Sequence, residues 1–174
     1  SQPLVIESYK NPTNTFETNL NGTLNLLEAC RKLTFVESIV IVTSDKCYEN
    51  IKDNKIFLEN DKLGGLDPYS CSKSLTELLV RSYSNSFFNN GINNIAIASA
   101  RSGNVIGGGD FSKNRLVPDA IKAFSSNKTL ILRNPNSIRP WQHILDTLNG
   151  YIILAEKITK YKRKYSGAWN FGPN

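Results

Sequence analysis

Apolar residues in this chain fall into two patterns, short continuous runs and longer stretches with helical spacing. Continuous runs occupy residues 38–43 and 95–100, and neither run alternates with polar residues. Runs of this kind are typical of parallel strands that are covered on both faces. A third short run at 168–171 predicts a last strand of the same sheet.

Helically spaced apolar positions precede, separate and follow these runs. They predict one helix over residues 12–32, a second over 69–88 and a third that starts at 144. The second helix should end at residues 89–91, Asn-Asn-Gly, because these residues tolerate left-handed geometry. Helices that alternate with strands predict an α/β fold with a parallel sheet.

Residues 106–143 follow neither pattern for long. The glycine-rich stretch 105–110 lacks the Lys-Ser/Thr of a P-loop and does not fit G-x-G-x-x-G, so we interpret it as a tight connection close to a ligand. Short apolar segments at 116–124 and 130–132 are suited to a small lobe. We therefore divide the chain into residues 1–105, a lobe over 106–143, and a helix and strand over 144–174 that return to the sheet.

The start of the second helix carries a candidate for acid–base chemistry. Tyr69 and Lys73 are four residues apart, which places both side chains on one helical face. An ammonium beside a phenol favours the phenolate, and a phenolate can take a proton from an alcohol. Taken alone, the same spacing also fits a surface helix with a packed tyrosine and a solvated lysine.

Polar residues follow both predicted central strands. In open parallel sheets ligands gather at the carboxyl ends of strands, so these residues lie where chemistry is expected. The candidates are Thr43, Ser44, Asp45 and Lys46 after the first strand, and Ser102 and Asn104 after the second.

Three arginines, Arg115, Arg133 and Arg139, punctuate the lobe. Each alone is most often a surface residue. Three guanidinium groups beyond the strand ends indicate bidentate contacts to a phosphate-bearing substrate.

Net charge is +6 and the pI is about 9.2, which permits a polyanionic partner. Basic residues are nevertheless scattered, apart from a cluster at the predicted end of the third helix, where cations complement the helix dipole. We expect no nucleic acid to bind. A basic, non-enzymatic binding module stays open as an alternative, and a salt-dependent shift with DNA or RNA would support it.

Cysteine and histidine content argues against a metal site. The three cysteines, Cys30, Cys47 and Cys71, have no close metal-type spacing, and His143 is the single histidine. We expect reduced thiols and no metal.

No apolar run approaches the ~20 residues that a membrane span requires, and the first residues do not resemble a signal peptide. A cytoplasmic protein without a membrane partner is expected. The chain contains no methionine, even at position 1, and opens like the middle of a loop, so we expect a piece of a longer polypeptide.

Taken together, these residues resemble the extended short-chain dehydrogenase/reductase family, and within it the sugar-nucleotide 4,6-dehydratases. The stretches 42–50, 102–110 and 139–143 are similar to the branch that acts on CDP-glucose. The resemblance implies an NAD-binding, Rossmann-like, doubly wound parallel sheet. Its glycine-rich cofactor loop and N-terminal strands would lie before Ser1, so residues 1–105 would be the C-terminal half of that domain, followed by part of a substrate lobe.

The family's reaction is an NAD-dependent redox cycle. A nucleotide sugar is oxidised at C4, loses water across C5 and C6, and regains the hydride at C6. The resemblance makes Tyr69 the base for the C4 hydroxyl, Lys73 the group that lowers its pKa and holds the nicotinamide ribose, and Ser44 a hydrogen-bond partner of the C4 oxygen. Thr43 and Ser102 would contact the cofactor, and Asn104, His143 and the three arginines the substrate.

Asp45 resembles the acid that protonates the departing C6 hydroxyl. Most 4,6-dehydratases follow this aspartate with a glutamate that serves as the base at C5, whereas this chain has Lys46. A lysine acts as a base only when it is neutral, so the C5 base stays open, and pairing with Asp45 or substrate is the alternative role for Lys46. A related sugar-nucleotide epimerase shares Tyr69 and Lys73 but needs no acid at Asp45.

The resemblance also implies a homodimer through helices 12–32 and 69–88. Both helices carry apolar residues on more than one face, with Leu26 and Cys30 beyond the stripe of the first and Leu78 beyond that of the second. A helix that covers a sheet needs one apolar stripe, so the surplus predicts a second partner, unless segments before Ser1 cover it.

Overall fold

A computed structural model describes residues 1–49, 56–88 and 94–173. The helices are α1 (Val5–Lys10), α2 (Pro12–Phe16), α3 (Gly22–Arg31), α4 (Pro68–Tyr83), α5 (Leu116–Ser125) and α6 (Ile144–Tyr161). The strands are β1 (Ser38–Val42), β2 (Ala96–Ser102), β3 (Asn104–Ile106), β4 (Trp141–His143) and β5 (Gly167–Phe171).

The main sheet has the order β1-β2-β5, and both pairings are parallel. All seven residues of β2 are buried because this strand has a neighbour on each side and helices on each face. The expected α/β class, the parallel sheet and its three strands are therefore confirmed. The second strand continues to Ser102, two residues beyond its predicted end.

Side chains alternate between two apolar layers on opposite faces of the sheet. On one face Ile39, Ile41 and Ile97 pack against Leu27 of α3 and Val80 of α4. On the other face, three alanines of β2 pack against α6: Ala96, Ala98 and Ala100 meet Leu154 and Ile158. Since alanine is small, α6 can pack close to this face, and the helices on both faces make the sheet doubly wound.

The predicted helix over 12–32 forms with an interruption. A wider π-helical turn, Glu17–Asn21, separates α2 from α3. Asn19 is buried in this turn, where its amide donates hydrogen bonds to Ser72 Oγ at 2.9 Å and to the Gln2 carbonyl at 3.1 Å. The irregular turn thus fixes the first helical segment against α4.

Helix α4 begins where the sequence predicted. Asp67 caps it by accepting a hydrogen bond from the Ser70 amide at 3.0 Å, and Pro68 occupies the first turn, where its missing N–H costs nothing. A wider turn, Ser84–Phe88, continues the helix and buries Phe88. The predicted end at 89–91 lies outside the described residues.

The expected small lobe contains one short sheet and one helix. Strand β3 pairs in parallel with β4, and α5 lies between them in the chain. The apolar segment at 130–132 forms neither helix nor strand, and Ile131 is 85% exposed. The division of the chain at residues 106 and 144 stays a prediction.

Two surface expectations have structural outcomes. Cys30 is buried in the same core cluster as Leu27, so it belongs to the sheet-facing side of α3 and not to a surplus face; that part of the expectation is wrong. Leu26 and Leu78 are exposed by 48% and 40%.

The basic cluster indeed lies at the end of α6, in the short turn Lys162–Lys164. Across the described parts of the chain, no helix has the length and apolar character that crossing a bilayer would demand.

Candidate active site

The carboxyl end of β1 turns at once into a short 3-10 turn, Asp45–Cys47. Ser44 starts this turn in an extended conformation, and its Oγ accepts a hydrogen bond from the Lys46 amide at 3.3 Å. The same hydroxyl donates to Asp45 Oδ1 at 3.0 Å. The turn therefore holds the Ser44 hydroxyl and the Asp45 carboxylate side by side at the strand end, with Lys46 half-buried next to them.

Helix α4 brings Tyr69 to this strand end. The phenol is buried, with 8% of the residue exposed. Burial raises the pKa of Tyr69, and the Asp45 and Asp67 carboxylates raise it further, whereas the Ser44 side chain and the Arg115 guanidinium lower it. The sequence-predicted residues Tyr69 and Ser44 therefore lie close enough for the Ser44 hydroxyl to influence the phenol.

Lys73 lies one turn further along α4 and is also buried. Its Nζ is 5.9 Å from the centroid of the Tyr69 ring and donates a hydrogen bond of 3.5 Å to Ser1 Oγ. Burial lowers the pKa of Lys73, and the Glu77 carboxylate and the Cys47 thiol act in the opposite direction.

The expected effect of Lys73 on Tyr69 is not what the structure shows. Sequence reasoning predicted a phenol made more acidic by the adjacent ammonium, but the pKa of Tyr69 is raised. The physical reason is that both side chains share one buried helical face, and removal from water penalises the charged form of each. Ser44 and Arg115 are the strongest influences that favour the phenolate among the described residues.

A buried polar network lies behind these residues. The Glu77 carboxylate accepts hydrogen bonds from Ser99 Oγ at 2.7 Å, from Arg101 Nη2 at 2.7 Å and from the Thr43 hydroxyl. Glu77 and Arg101 form an ion pair whose side chains are only 3% and 5% exposed. Sequence reasoning missed Glu77, although its position four residues after Lys73 and eight after Tyr69 marks it as part of the same helical face.

At the other end of the ion pair, Arg101 holds the loop that follows the Asp45–Cys47 turn. Arg101 Nη1 donates to Tyr48 Oη at 2.7 Å and to the Glu59 carbonyl at 2.9 Å. Tyr48 in turn donates to Asn170 Oδ1 at 2.6 Å, and its ring stacks on Phe57 with centroids 4.8 Å apart. The described part of the 47–66 loop is therefore tied to β2 and to β5.

Three predicted contacts lie around the second strand end. Ser102 is buried at the end of β2, where its Oγ accepts a hydrogen bond from the Tyr151 hydroxyl at 2.9 Å. Asn104 is half-buried in β3. His143 is exposed and caps α6, since its Nδ1 accepts a hydrogen bond from the Leu145 amide at 3.2 Å. The roles of these residues toward cofactor or substrate stay predictions.

The three arginines occupy different surroundings. Arg115 pairs with Asp110 at 3.0 Å and lies close enough to lower the pKa of Tyr69. Arg133 is exposed and donates to the Asn114 carbonyl at 2.9 Å, and Arg139 is exposed just before β4. Among the described contacts, none joins Arg133 or Arg139 to the Ser44–Tyr69 pair. Of the three predicted arginines, Arg115 is the one whose charge is seen to act on Tyr69.

Comparison with known proteins places this arrangement in a family. Residues 2–172 match the NAD dependent epimerase/dehydratase family. The chain belongs to this family. CDP-glucose 4,6-dehydratase from Salmonella typhimurium strain LT2 is 47% identical over 176 residues, a match that covers 99% of the chain and 49% of the relative. UDP-glucose 4-epimerase from Mycoplasma pneumoniae is 29% identical over 167 residues, with 86% of the chain and 47% of the relative covered. The chain thus spans about half the length of the curated relatives it matches.

Solved structures agree on the fold. The chain superposes with a TM-score of 0.83 on dTDP-glucose 4,6-dehydratase from Streptomyces venezuelae, solved with NAD and TYD bound, at 23% identity and with 100% of the chain and 50% of that structure covered. UDP-glucose 4-epimerase from Thermus thermophilus, in complex with NAD, gives a TM-score of 0.81 at 23% identity, with 99% and 54% covered. The chain has the Rossmann-like fold of such enzymes.

Proposed function

We propose that the full-length protein that contains this chain is an NAD-dependent dehydratase of nucleotide sugars that converts CDP-glucose to CDP-4-keto-6-deoxyglucose. Its 47% identity to a CDP-glucose 4,6-dehydratase supports the substrate. The observation that carries the reaction type is the placement of the buried Tyr69 phenol near the Ser44 hydroxyl, which itself donates a hydrogen bond to Asp45 Oδ1 at 3.0 Å.

In this proposal, Ser44 and Tyr69 act on the C4 hydroxyl of the sugar. Ser44 lies at the strand end and acts on the Tyr69 phenol, so a sugar hydroxyl placed there can give its proton to Tyr69 while the Ser44 hydroxyl turns from Asp45 to donate to the C4 oxygen. Because both groups are buried, water competes little for these hydrogen bonds.

Asp45 is proposed as the acid for the loss of the C6 hydroxyl. It is held next to Ser44 by a 3.0 Å hydrogen bond, on the same strand end at which the C4 hydroxyl is proposed to bind. Lys46 follows in the same turn and is our candidate for the C5 proton, with pairing to Asp45 or substrate as its alternative role.

The residues present fit one side of a nicotinamide site. Lys73 is a buried ammonium with three donor hydrogens, and among the described residues it has one hydrogen bond, 3.5 Å long, to Ser1. We assign Lys73 and Tyr69 to the nicotinamide ribose, and Thr43 and Ser102 to neighbouring contacts at the strand ends. Bound NAD would accept the C4 hydride and supply it again at C6.

The nucleotide diphosphate is assigned to the lobe. Arg115 is the best placed of the three arginines, because its charge already acts on Tyr69. Arg133, Arg139, Asn104 and His143 complete the proposed substrate contacts. Guanidinium groups suit this role since they can bind phosphate oxygens in pairs.

The partners are proposed on the same basis. Nucleotide sugars and NAD are metabolites of the cytoplasm, so the proposed reaction assigns the protein to that compartment. A homodimer through α3 and α4 is proposed from their exposed leucines, Leu26 and Leu78. No nucleic-acid or membrane partner is proposed.

An epimerase is the second candidate, and the similarity to UDP-glucose 4-epimerases supports it. Both reactions begin with oxidation at C4, but an epimerase returns the hydride to C4 and needs no acid for a C6 hydroxyl. The position of Asp45 beside the Ser44–Tyr69 pair favours dehydration.

Isotope transfer separates the two reactions. The full-length protein should convert CDP-glucose with deuterium at C4 to a 4-keto-6-deoxy product with deuterium at C6, and NMR detects the position of the deuterium. Tyr69→Phe removes the ionisable oxygen and should lower kcat at least about a thousandfold while CDP-glucose binding stays within several-fold. Deuterium that returns to C4 would indicate the epimerase, and substantial turnover by Tyr69→Phe would show that Tyr69 is not the base.

A further inference from the structure

We propose that Glu77 is a positioning residue for the Ser44–Tyr69 pair, acting through the hydroxyl of Thr43. This inference rests on the proposed function of that pair. The carboxylate joins the helix that carries Tyr69 and Lys73 to the strand end that carries Ser44 and Asp45.

The position of Glu77 on α4 makes this connection direct. Tyr69, Lys73 and Glu77 follow each other at intervals of four residues, so they lie along one face of the helix. Residues 69, 73 and 77 are all buried. The Glu77 carboxylate accepts a hydrogen bond from Thr43, the residue immediately before Ser44. One side chain thus spans the gap between the two elements that form the site.

The carboxylate itself has little freedom to move. Oε1 is held by the Thr43 hydroxyl, and Oε2 by Ser99 Oγ and Arg101 Nη2, both at 2.7 Å. Arg101 is fixed in turn by Tyr48 Oη at 2.7 Å and the Glu59 carbonyl at 2.9 Å. A buried carboxylate that accepts hydrogen bonds on both oxygens is held rigidly, because any movement would break a hydrogen bond where water cannot replace it.

The strand end would otherwise be loosely held on this side. Val42, the last residue of β1, is 49% exposed, whereas Thr43 is buried. The Thr43 amide donates to the Ala100 carbonyl at 2.8 Å, which fixes the backbone along the sheet. The hydroxyl of Thr43 adds a contact to Glu77 of α4, and it also lies 3.5 Å from the Ala100 carbonyl oxygen. We therefore infer that the hydrogen bond from this hydroxyl to Glu77 sets the distance between Ser44 and Tyr69.

Substitutions of Thr43 in the full-length protein test this inference without breaking the buried ion pair. Thr43→Val keeps the shape and removes the hydroxyl, and it should lower kcat with CDP-glucose about tenfold or more while KM changes less than about threefold. Thr43→Ser restores the hydroxyl and should recover most of the lost kcat. Rescue by serine distinguishes a hydroxyl that positions the site from a side chain that only fills space. An NAD affinity that is unchanged in Thr43→Val separates positioning from the cofactor contact proposed for Thr43, whereas an NAD affinity that falls as far as kcat would overturn the positioning role.

Ser99→Ala is the matched control. It removes a hydrogen bond of the same kind from the same carboxylate, but Ser99 lies in β2 and does not connect to the strand end. Its kcat should stay within about threefold of the wild type. Thermal unfolding of all three variants shows whether any loss of kcat follows stability.

Wild-type kcat in Thr43→Val would overturn the inference, and so would an equal loss of kcat in Ser99→Ala or a failure of Thr43→Ser to recover. Tyr69→Phe in the same assay separates this result from the proposed function. If Tyr69→Phe is inactive while Thr43→Val is normal, the positioning role alone is wrong; if Tyr69→Phe is active, the assignment of the Ser44–Tyr69 pair is wrong as well.

Discussion

Tyr69 and Lys73 lie on one buried face of α4, where removal from water disfavours the phenolate of Tyr69 and the ammonium of Lys73. Burial raises the pKa of Tyr69 and lowers that of Lys73, so desolvation favours a neutral phenol and a neutral amine. A phenolate forms here only where nearby donors or cations compensate for lost water. Ser44 and Arg115 supply that compensation, so residues at the strand end and in the lobe help Tyr69 to form the phenolate.

This dependence predicts a pH effect of Ser44→Ala. The Ser44 side chain lowers the pKa of Tyr69, so its removal should raise that pKa. If the reaction requires the phenolate, the acidic limb of kcat/KM then moves to higher pH, and the loss of activity is largest below the phenol's pKa and recovers in part above it. A pH–rate profile of the full-length variant checks this. An acidic limb at its wild-type pH would show that Ser44 does not support the phenolate.

Asp45→Asn should shift the acidic limb of the pH–rate profile for C4 oxidation to lower pH, the opposite of the effect expected for Ser44→Ala. The Asp45 carboxylate raises the pKa of Tyr69, so a neutral amide should lower it. The amide oxygen can still accept the hydrogen bond from Ser44, but the amide cannot supply a proton to the C6 hydroxyl. We expect the variant to form reduced cofactor on mixing with CDP-glucose and to release little dehydrated product, as absorbance and product analysis would show. Normal dehydration would place the acid elsewhere.

At the scale of elements, the loop before α4 packs with almost no clearance. A Cβ on Gly65 would lie 2.4 Å from the Cys71 amide nitrogen and 2.4 Å from the Ser70 carbonyl carbon, so neither atom can give way without moving the helix. A glycine is therefore required where the loop meets the first turn of α4. This close contact helps to set where Tyr69 enters the site.

Gly65→Ala should destabilise the full-length protein by about 1–3 kcal/mol, because backbone atoms must shift to accept the added methyl group. Gly108→Ala is the matched control, since a Cβ there meets no atom within 4 Å. Thermal unfolding compares the two variants, and activity should fall in Gly65→Ala alone if α4 is displaced. Equal stability of both variants would show that the loop moves aside freely.

Local pattern predicted the elements that have strong periodicity or clear caps. The β-branched run of β1, the start of α4 near Tyr69 and the Tyr69–Lys73 spacing are each visible in one short stretch of sequence. The wide turn at Glu17–Asn21 was not predicted, because it depends on a hydrogen bond between Asn19 and Ser72, which are 53 positions apart. Local pattern carries no information about such a partner.

The residues of the candidate site likewise fall into those that local sequence predicted and those that depend on distant parts of the chain. Tyr69, Ser44 and Asp45 were predicted because their chemistry and their positions at a helix start and a strand end are local features. The role of Glu77 depends on Thr43, Ser99 and Arg101, which reach it from two strands. The direction of the pKa shift of Tyr69 was wrong because burial, a property of the folded molecule, exceeds the effect of its neighbour in the sequence.

At the scale of the whole molecule, the helical layer formed by α3 and α4 leaves apolar side chains uncovered. Leu26 and Leu78 are 48% and 40% exposed on these two helices, while the opposite sides of the same helices pack into the core through Leu27 and Val80. Exposed apolar residues on a pair of helices favour a protein partner. A second copy of the chain can cover it in a twofold contact, since each helix then meets an equivalent helix.

We therefore expect the full-length protein to be a homodimer whose association depends on this surface. Leu26→Glu combined with Leu78→Glu would bring charges into an apolar contact, so the double variant should be monomeric by light scattering at micromolar concentration. Ile121→Glu is the control, because Ile121 is 61% exposed and belongs to α5, which is not one of the two helices proposed for the interface. A wild-type monomer would show that the rest of the full-length chain covers these leucines, and a dimer that persists in the double variant would place the interface elsewhere.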